Sequence, residues 1–361
     1  MAMLDVRRDL QAILLDRDAT LIDVRAPVEF AKGALPHAVN LPILNDDERA
    51  RVGKCYKSNG ADAAAALGHK LVSGSLRESR IDAWVEATQK NAGYLCCWRG
   101  GLRSKLAQQW LGERGVHIER VEGGFKALRT ACLAQLQHFS ESGDWVLIGG
   151  RTGSGKTQVL NRLNGAIDLE GIAHHRGSAF GGYPDGQPTP INFENALAIA
   201  SLHHSSSRAD ALKHRVLLED EGSTIGRLGL PIAWHQRMQS SPLVILEVEQ
   251  TARVDNIFEE YVGAETRSLT LAERYDDALR RISRRLGGAR SQAIRRTLAD
   301  AFASGEPAAH KTWIANLLTH YYDPMYDYQI AKKEHRIVLR GSVDEICAYL
   351  ENPANSIRPV S

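Results

Sequence analysis

Little in this sequence is extreme, and its shortages exclude more than its excesses suggest. Cysteine is scarce and odd in number, five in 361 residues. Cys55, Cys96, Cys97, Cys132 and Cys347 show no paired Cys-x-x-Cys or Cys/His spacing, which argues against a disulfide framework and against a zinc site, and no metal site is otherwise evident. A reactive thiol is the specific possibility left. No run reaches the roughly 18 apolar residues of a membrane span, and the most apolar stretch, Leu243-Val244-Ile245-Leu246, is strand-sized. The opening Met1–Asp9 has no apolar segment, so neither a secretory leader nor a membrane partner is expected, and the location expected is cytoplasmic. Net charge is lacking too: 45 Lys+Arg against 43 Asp+Glu leaves +2. A nucleic-acid partner would then be met by a local patch and not by the whole surface. Repeats and low-complexity tracts are missing, and the 43% apolar and 24% charged shares exclude a disordered or collagen-like chain.

What is present is two rounds of strand–helix alternation. The length exceeds what a single core usually serves, so two domains are expected. The polar stretch His138–Asp144 separates a helical pattern (Phe125 to Leu136) from a new apolar strand, dividing the chain into 1–137 and 138–361. Before it, Thr20–Val24, Ala38–Leu41, Gly93–Cys96 and His117–Val121 read as strands, with a helix from Ser104 to Glu113. After it, Trp145–Ile148, Ala166–Leu169, Arg215–Leu218, Leu243–Val248 and Arg336–Leu339 read as strands. A long helical region, Thr251 to Leu318, lies between the last two, and a final helix opens on the capping box Ser342/Glu345. The pattern predicts an α/β fold with mostly parallel sheets, the second domain carrying a helical insertion.

The segment Cys97-Trp98-Arg99-Gly100-Gly101-Leu102-Arg103-Ser104 runs from a strand through a glycine-rich turn into a helix. Successive backbone N–H groups in such a turn can converge on one anion, and the helix start adds its positive end. Arg99 and Arg103 supply fixed cations, and the same field favours a thiolate at Cys97. Cys96 points into the sheet by alternation and, with Cys132 and Cys347, reads as inert core.

Gly150-Arg151-Thr152-Gly153-Ser154-Gly155-Lys156-Thr157 fits the phosphate-loop pattern, directly after an apolar strand and before a helix, as the motif requires. Gly150, Gly153, Ser154 and Gly155 would cradle a diphosphate with their amides, Lys156 would reach the outer phosphate and Thr157 would hold Mg²⁺. The strand Val216-Leu217-Leu218 ends in Glu219 and Asp220, either of which could be a Mg²⁺-linked carboxylate. The loop binds phosphates without saying whose; ATP and a diphosphate ester present the same oxygens. The segment Gly171–Gly182 follows a strand of the same domain and should face the ligand, with Arg176 as an anion contact.

From Arg267 to Arg296 there are nine arginines against Glu273, Asp276 and Asp277, or 9 − 3 = +6 inside a nearly neutral protein. So few compensating acids, and no lysine, suit an RNA backbone better than mere solubility. Tyr321, Tyr322, Tyr326 and Tyr328 fall within eight residues, a cluster that helix–strand packing explains and that also suits a stacking surface.

Asp23-Val24-Arg25 with Glu29-Phe30, then Gly33-Ala34-Leu35-Pro36-His37-Ala38-Val39-Asn40-Leu41-Pro42 and Glu122-Gly123-Gly124-Phe125, resemble rhodanese domains. Rhodaneses carry sulfur or selenium as a persulfide-type adduct on the loop cysteine. Many have four residues between cysteine and arginine; here Trp98 to Leu102 makes five. The longer loop resembles the Cys-x5-Arg cradle of phosphatases that share the fold, and it would admit a tetrahedral phosphate-sized anion. The histidine usual before the phosphatase cysteine is replaced by Cys96.

A rhodanese-like domain followed by a P-loop NTPase-like α/β domain, with the His174-His175-Arg176-Gly177-Ser178 loop and the tyrosine segment, resembles the bacterial tRNA 2-selenouridine synthases over nearly the whole chain. The resemblance implies a transferase acting on the wobble uridine of the tRNAs for lysine, glutamate and glutamine. Geranyl diphosphate would alkylate the sulfur of 2-thiouridine, and selenium from selenophosphate would then replace the S-geranyl group, with Cys97 as the selenium-carrying nucleophile and Arg99 and Arg103 holding the expelled phosphate. The other reading is a Cys-x5-Arg phosphatase or nucleotide hydrolase fused to an ATP-binding domain.

Overall fold

Parallel strand pairs organise both halves of the chain. The computed structural model describes residues 6–88, 93–163, 165–206, 215–352 and 355; the leader expectation at Met1–Asp9 therefore falls largely outside the described residues. Five strands form the first sheet: β1 (Val6–Arg7), β2 (Thr20–Asp23), β3 (Ala38–Asn40), β4 (Gly93–Cys96) and β5 (Glu119–Val121). They lie in the order β1-β5-β4-β2-β3, all parallel. Parallel neighbours need crossovers, which helices supply: Asp46–Leu71 and Gly74–Thr88 between β3 and β4, and Leu102–Glu113 between β4 and β5. The helices cover a core in which Ile22, Val24 and Leu95 meet Trp84, Trp110 and Leu111.

This unit runs to Phe139 and also takes in Pro188–His203. The stretch belongs to the helix Pro190–Ser206. Asn192 Oδ1 accepts the Ala34 N–H at 2.7 Å, and the buried Asn195 gives its amide to the Ala34 carbonyl at 2.8 Å while accepting from Arg129 at 2.8 Å. The change-over thus lies at Phe139/Ser140, and most of one helix from the later half of the chain joins the first unit, which a single cut at 137/138 does not provide for.

The second unit carries β6 (Asp144–Gly150), β7 (Arg215–Glu219), a small antiparallel pair β8 (Thr224–Ile225) and β9 (Leu228–Gly229), β10 (Leu243–Leu246) and β11 (Ile337–Gly341). Its main sheet is parallel in the order β11-β10-β6-β7. Between β10 and β11 the chain makes the helices Gln250–Ile257, Leu269–Leu286, Gly288–Ser304, Pro307–Leu317 and Asp323–Lys332, so the insertion runs beyond the expected Leu318. It has its own core around Tyr275, Phe302 and Trp313. The expected strand Ala166–Leu169 does not form. Ala166 makes one bridge to Leu217, and Asp168 then accepts the Gly171 N–H at 2.6 Å, capping a short helix Leu169–Ile172. The last helix, Val343–Glu351, has the capping box expected of Ser342 and Glu345. No helix of the described residues is long and apolar enough to cross a membrane.

Candidate functional site

Each unit presents a glycine-rich loop at the C-terminal end of a central strand, where open parallel sheets bind their ligands. In the first unit β4 delivers Cys97 into the turn, and Gly101 opens the helix Leu102–Glu113. The amides of Trp98 to Arg103 donate to no acceptor among the described residues, whereas the carbonyls behind them are tied down. Cys97 O accepts from Phe125 N–H at 2.8 Å and Trp98 O from Lys126 N–H at 3.0 Å. That docking is why Glu122-Gly123-Gly124-Phe125 is written as it is. Gly124 has φ 61°, and a Cβ there would collide with the Cys97 carbonyl and the Gly100 nitrogen. Arg120 Nη1 donates to the Gly100 carbonyl, and the buried Arg25, paired to Asp23 at 2.6 Å, sits 3.9 Å from the Phe125 ring centre.

Cys97 is 3% exposed, and its Sγ lies 3.2 Å from Ser104 Oγ. Arg103 is engaged by Glu29 at 2.5 and 3.2 Å, and Arg49 joins at 3.2 Å. Burial alone would raise the Glu29 carboxyl; Arg103 and Arg49 overcome it and hold it below the usual range. Arg99 is exposed on the turn. Burial, followed by the charge of Asp23, pushes the Cys96 thiol well up, and burial pushes Cys132 to about 12, so both are inert core. Beside the loop helix lies a cavity of about 310 Å³ walled by Tyr56, Ala64, Ala65, Leu102, Leu106 and Trp110. Arg103 and His69 are its polar members.

In the second unit β6 ends at Gly150, and the loop leads into the helix Lys156–Arg162. Gly153 has φ 80°, and a Cβ there would stand 2.7 Å from the Arg253 carbonyl. Asn256 donates to Gly153 O at 2.9 Å, and the buried Arg253 donates to Thr152 O at 3.3 Å while clamping Asp323 at 2.8 and 2.7 Å. Thr157 is exposed at the helix start, and the buried Ser154 Oγ has no hydrogen-bond partner among the described residues. Lys156 stands among acids. Burial opposes its charge, but Tyr326, Glu170, Glu221 and Glu219 more than offset this and hold the ammonium above the ordinary lysine range. Burial, aided by Glu221 and opposed by Lys156, raises the Glu170 carboxyl to about 8. Glu219 is raised well above its usual range by burial and then by Asp168.

The two carboxylates at the end of β7 differ. Asp220 is committed to Lys333 at 2.5 Å and to Arg336 at 4.0 Å. Glu219 accepts the Leu169 N–H at 2.9 Å through Oε2 and leaves Oε1 without a partner. No cluster of three or more His, Cys, Asp or Glu suited to a metal ion occurs among the described residues. Arg176 is brought to the loop's surroundings, since it and Lys156 both act on Glu260. It lies between the rings of Tyr183 and Tyr261 (4.3 and 4.6 Å), with Glu260 3.1 Å from Nε. Tyr321 and Tyr322 are buried in the insertion's core, whereas Tyr328 is exposed under Lys332. Of the arginines from 267 to 296, Asp276 ties Arg280 and Arg295, and Arg267 is spent on the carbonyls of Ala303 and Ser304. Arg284, Arg285, Arg290 and Arg296 stay exposed. A cavity of about 600 Å³ beside the loop is lined by charge, including Arg151, Arg253, Asp323, Asp327, Glu334 and Arg340.

Sequence reasoning gives no separate role to Ser104, Glu29, Arg120, Glu170, Glu221 and Arg253. Ser104 and Glu29 lie within or near the quoted motifs; the others reach their loops from separate elements, with no local signal.

Comparison with known proteins agrees with this architecture. Residues 6–131 match the rhodanese-like domain, and residues 143–356 match the AAA domain of tRNA 2-selenouridine synthase. A tRNA 2-selenouridine synthase of Hahella chejuensis is 46% identical over 357 residues, covering 95% of this chain and 93% of that protein. One from Shewanella loihica is 44% identical over 350 residues (92% and 93%), and one from Pseudomonas putida strain GB-1 is 46% identical over 360 residues (95% and 96%).

Proposed function

The chain belongs to the tRNA 2-selenouridine synthase family, and on that premise we propose that it converts 2-thiouridine at the wobble position of the tRNAs for lysine, glutamate and glutamine into 2-selenouridine by two transfers. In the first, the thiocarbonyl sulfur attacks C1 of geranyl diphosphate; the S–C bond forms, the C–O bond breaks, and diphosphate leaves. In the second, selenium derived from selenophosphate forms a bond to C2, and the C2–S bond breaks with geranylthiol as the leaving group. Alkylation turns a poor leaving group into a good one and makes C2 electrophilic, so the order is chemically required.

The observation that carries this reading is Cys97 in a turn of unengaged amides beside an apolar cavity. A phosphate-bearing selenium donor suits the amides. The cavity falls within the range of small-molecule pockets, about 300–1,000 Å³, and suits the geranyl chain of the alkylated base. The charged cavity of the other unit would not take a hydrocarbon without burying unpaired ions.

The phosphate loop holds the diphosphate of the prenyl donor, with Lys156 and the amides stabilising it as it leaves. Mg²⁺ fits the donor set, because it needs only one or two protein oxygens besides phosphate. Thr157 is exposed at the helix start, and Glu219 Oε1 is unpartnered, whereas Asp220 is already neutralised. A bound Mg²⁺ would supply charge neutralisation for the diphosphate. ATP on the same loop is a second reading, favoured by the match to an AAA domain; competition between ATP and geranyl diphosphate for the wild-type protein separates them. The arginine face at Arg284, Arg285, Arg290 and Arg296 meets the RNA backbone.

The test is nucleoside mass spectrometry on a 2-thiouridine anticodon-stem RNA given geranyl diphosphate and selenophosphate. Wild type should yield 2-selenouridine, and Cys97→Ser should stop at S-geranyl-2-thiouridine. An RNA of unchanged mass with wild type overturns the reading.

A further inference from the structure

We propose that selenophosphate phosphorylates Cys97, so that the loop takes the phosphoryl group as a cysteinyl phosphate and releases selenide, in place of carrying selenium on sulfur. This rests on the reading above that selenophosphate is the donor used at this loop.

Electron balance comes first. Selenium in selenophosphate is at the selenide level, bound to phosphorus(V). If Cys97 Sγ attacked selenium, the Se–P bond would break with its electron pair on phosphorus, and phosphite would leave. Forming both an S–Se⁻ adduct and phosphate would require a two-electron oxidant, which neither transfer supplies. Attack on phosphorus needs none. From selenophosphate protonated on selenium, the Sγ–P bond forms, the P–Se bond breaks with its pair on selenium, and the hydrogen selenide anion leaves with the proton it already carries, so no general acid is required. That selenide attacks C2 of S-geranyl-2-thiouridine and displaces geranylthiol. Water then attacks phosphorus, Sγ departs as thiolate, and phosphate forms with its proton lost to solvent.

The loop's geometry fits this role. Five residues separate Cys97 from Arg103, and the amides of Trp98 to Arg103 are unengaged. A transferring phosphoryl group spreads charge over three oxygens and uses several donors at once, whereas a single selenium on sulfur presents one atom. Glu29 fixes Arg103 at 2.5 and 3.2 Å, so a cation is anchored at the end of the turn.

Ser104 supplies the second half of the cycle. Its Oγ is 3.2 Å from Cys97 Sγ and 3.2 Å from the Gly101 carbonyl. A thiolate has no proton to give, so toward a departing thiolate the hydroxyl must donate, turning its one proton from Gly101 to Sγ. Ser104 is thus a positioning residue for breakdown of the adduct and contributes less to its formation.

The experiment incubates the full-length protein with selenophosphate labelled with radioactive phosphorus, without RNA. After acid quench, the Cys97 peptide is read by mass spectrometry, and free selenide is trapped with a bimane alkylating agent. The expected result is phosphorus label on Cys97, no selenium isotope pattern on that peptide, and stoichiometric trapped selenide. Ser104→Ala should accumulate several times more adduct, because breakdown slows more than formation, and Ser104→Thr should restore the wild-type level. A selenium pattern on Cys97 without phosphorus overturns the proposal, as does consumption of selenophosphate with neither atom on Cys97. If wild type leaves selenophosphate intact and also transfers no selenium to S-geranyl RNA, the donor reading itself has failed.

Discussion

The two loops share a plan, strand to glycine turn to helix at the end of a central parallel strand, yet they are electrostatic opposites. Around Cys97 the amides are unengaged, and the carboxylate at the end of the turn, Glu29, is spent on Arg103 and Arg49. Around Lys156, by contrast, Glu170, Glu219 and Glu221 crowd the ammonium. The first loop can stabilise an anion at Cys97, the proposed nucleophile. In the second, burial raises the Glu170 and Glu219 carboxyls, which lessens the negative charge that a polyanion beside Lys156 would meet. Similar backbone geometry therefore sits in two different electrostatic settings, and the neighbouring side chains set the difference.

The sharpest break between the loops is the nucleophile. Cys97→Ser should lower selenium incorporation by about 10⁴-fold or more, as loss of a covalent nucleophile does in other enzymes, while S-geranylation measured on the same RNA stays unchanged. Equal loss of both activities would mean that the loops do not divide the work. The reciprocal variant, Lys156→Ala, should cost geranylation on the order of 10²–10³-fold, the usual effect of removing one charge-stabilising donor. It should leave adduct formation at Cys97 intact.

A smaller effect tests the apolar wall on the Cys97 side. Ala65→Trp, filling the cavity of about 310 Å³, should raise KM for S-geranyl RNA by roughly 10-fold, a size typical of hydrophobic-pocket discrimination. An S-methyl RNA should be turned over as before, and an equal rise for both substrates would remove the cavity from the reading.

The smallest effect is in the acid cluster. Glu170 is raised from 4.5 to about 8, so between those values the folded protein binds a proton that the unfolded chain has released. Its contribution to stability is full below 4.5 and is lost as pH rises through 8. Thermal unfolding should therefore show Tm falling by a few degrees over that window, and Glu170→Gln should flatten the slope. An unchanged slope would mean that Glu170 is not held protonated.

Some of this was legible in the residues alone. The alternation of apolar segments marks most strands, and both loops are contiguous motifs that the structure places between a strand and a helix. The helices Asp46–Leu71 and Gly74–Thr88 were not marked. Asp46–Leu71 buries only Glu48 and Ala64, so it carries no apolar stripe to read. The strand expected at Ala166–Leu169 was lost to a cap, because Asp168 competes for the backbone with a hydrogen bond of its own. Arg176, expected as an anion contact, spends its charge on Glu260 and two tyrosine rings.

By itself the sequence determined the order of two α/β domains and marked the glycine-rich turn after Cys97 and the glycine-rich loop before Lys156, because each is written in neighbouring residues. The tertiary structure alone decided which groups face those atoms. Glu29 reaches Arg103 across 74 positions and Arg253 reaches Asp323 across 70. Glu170 and Glu221 meet Lys156 from separate segments. Electrostatics acts through distance in space, and folding sets that distance with no trace in local spacing.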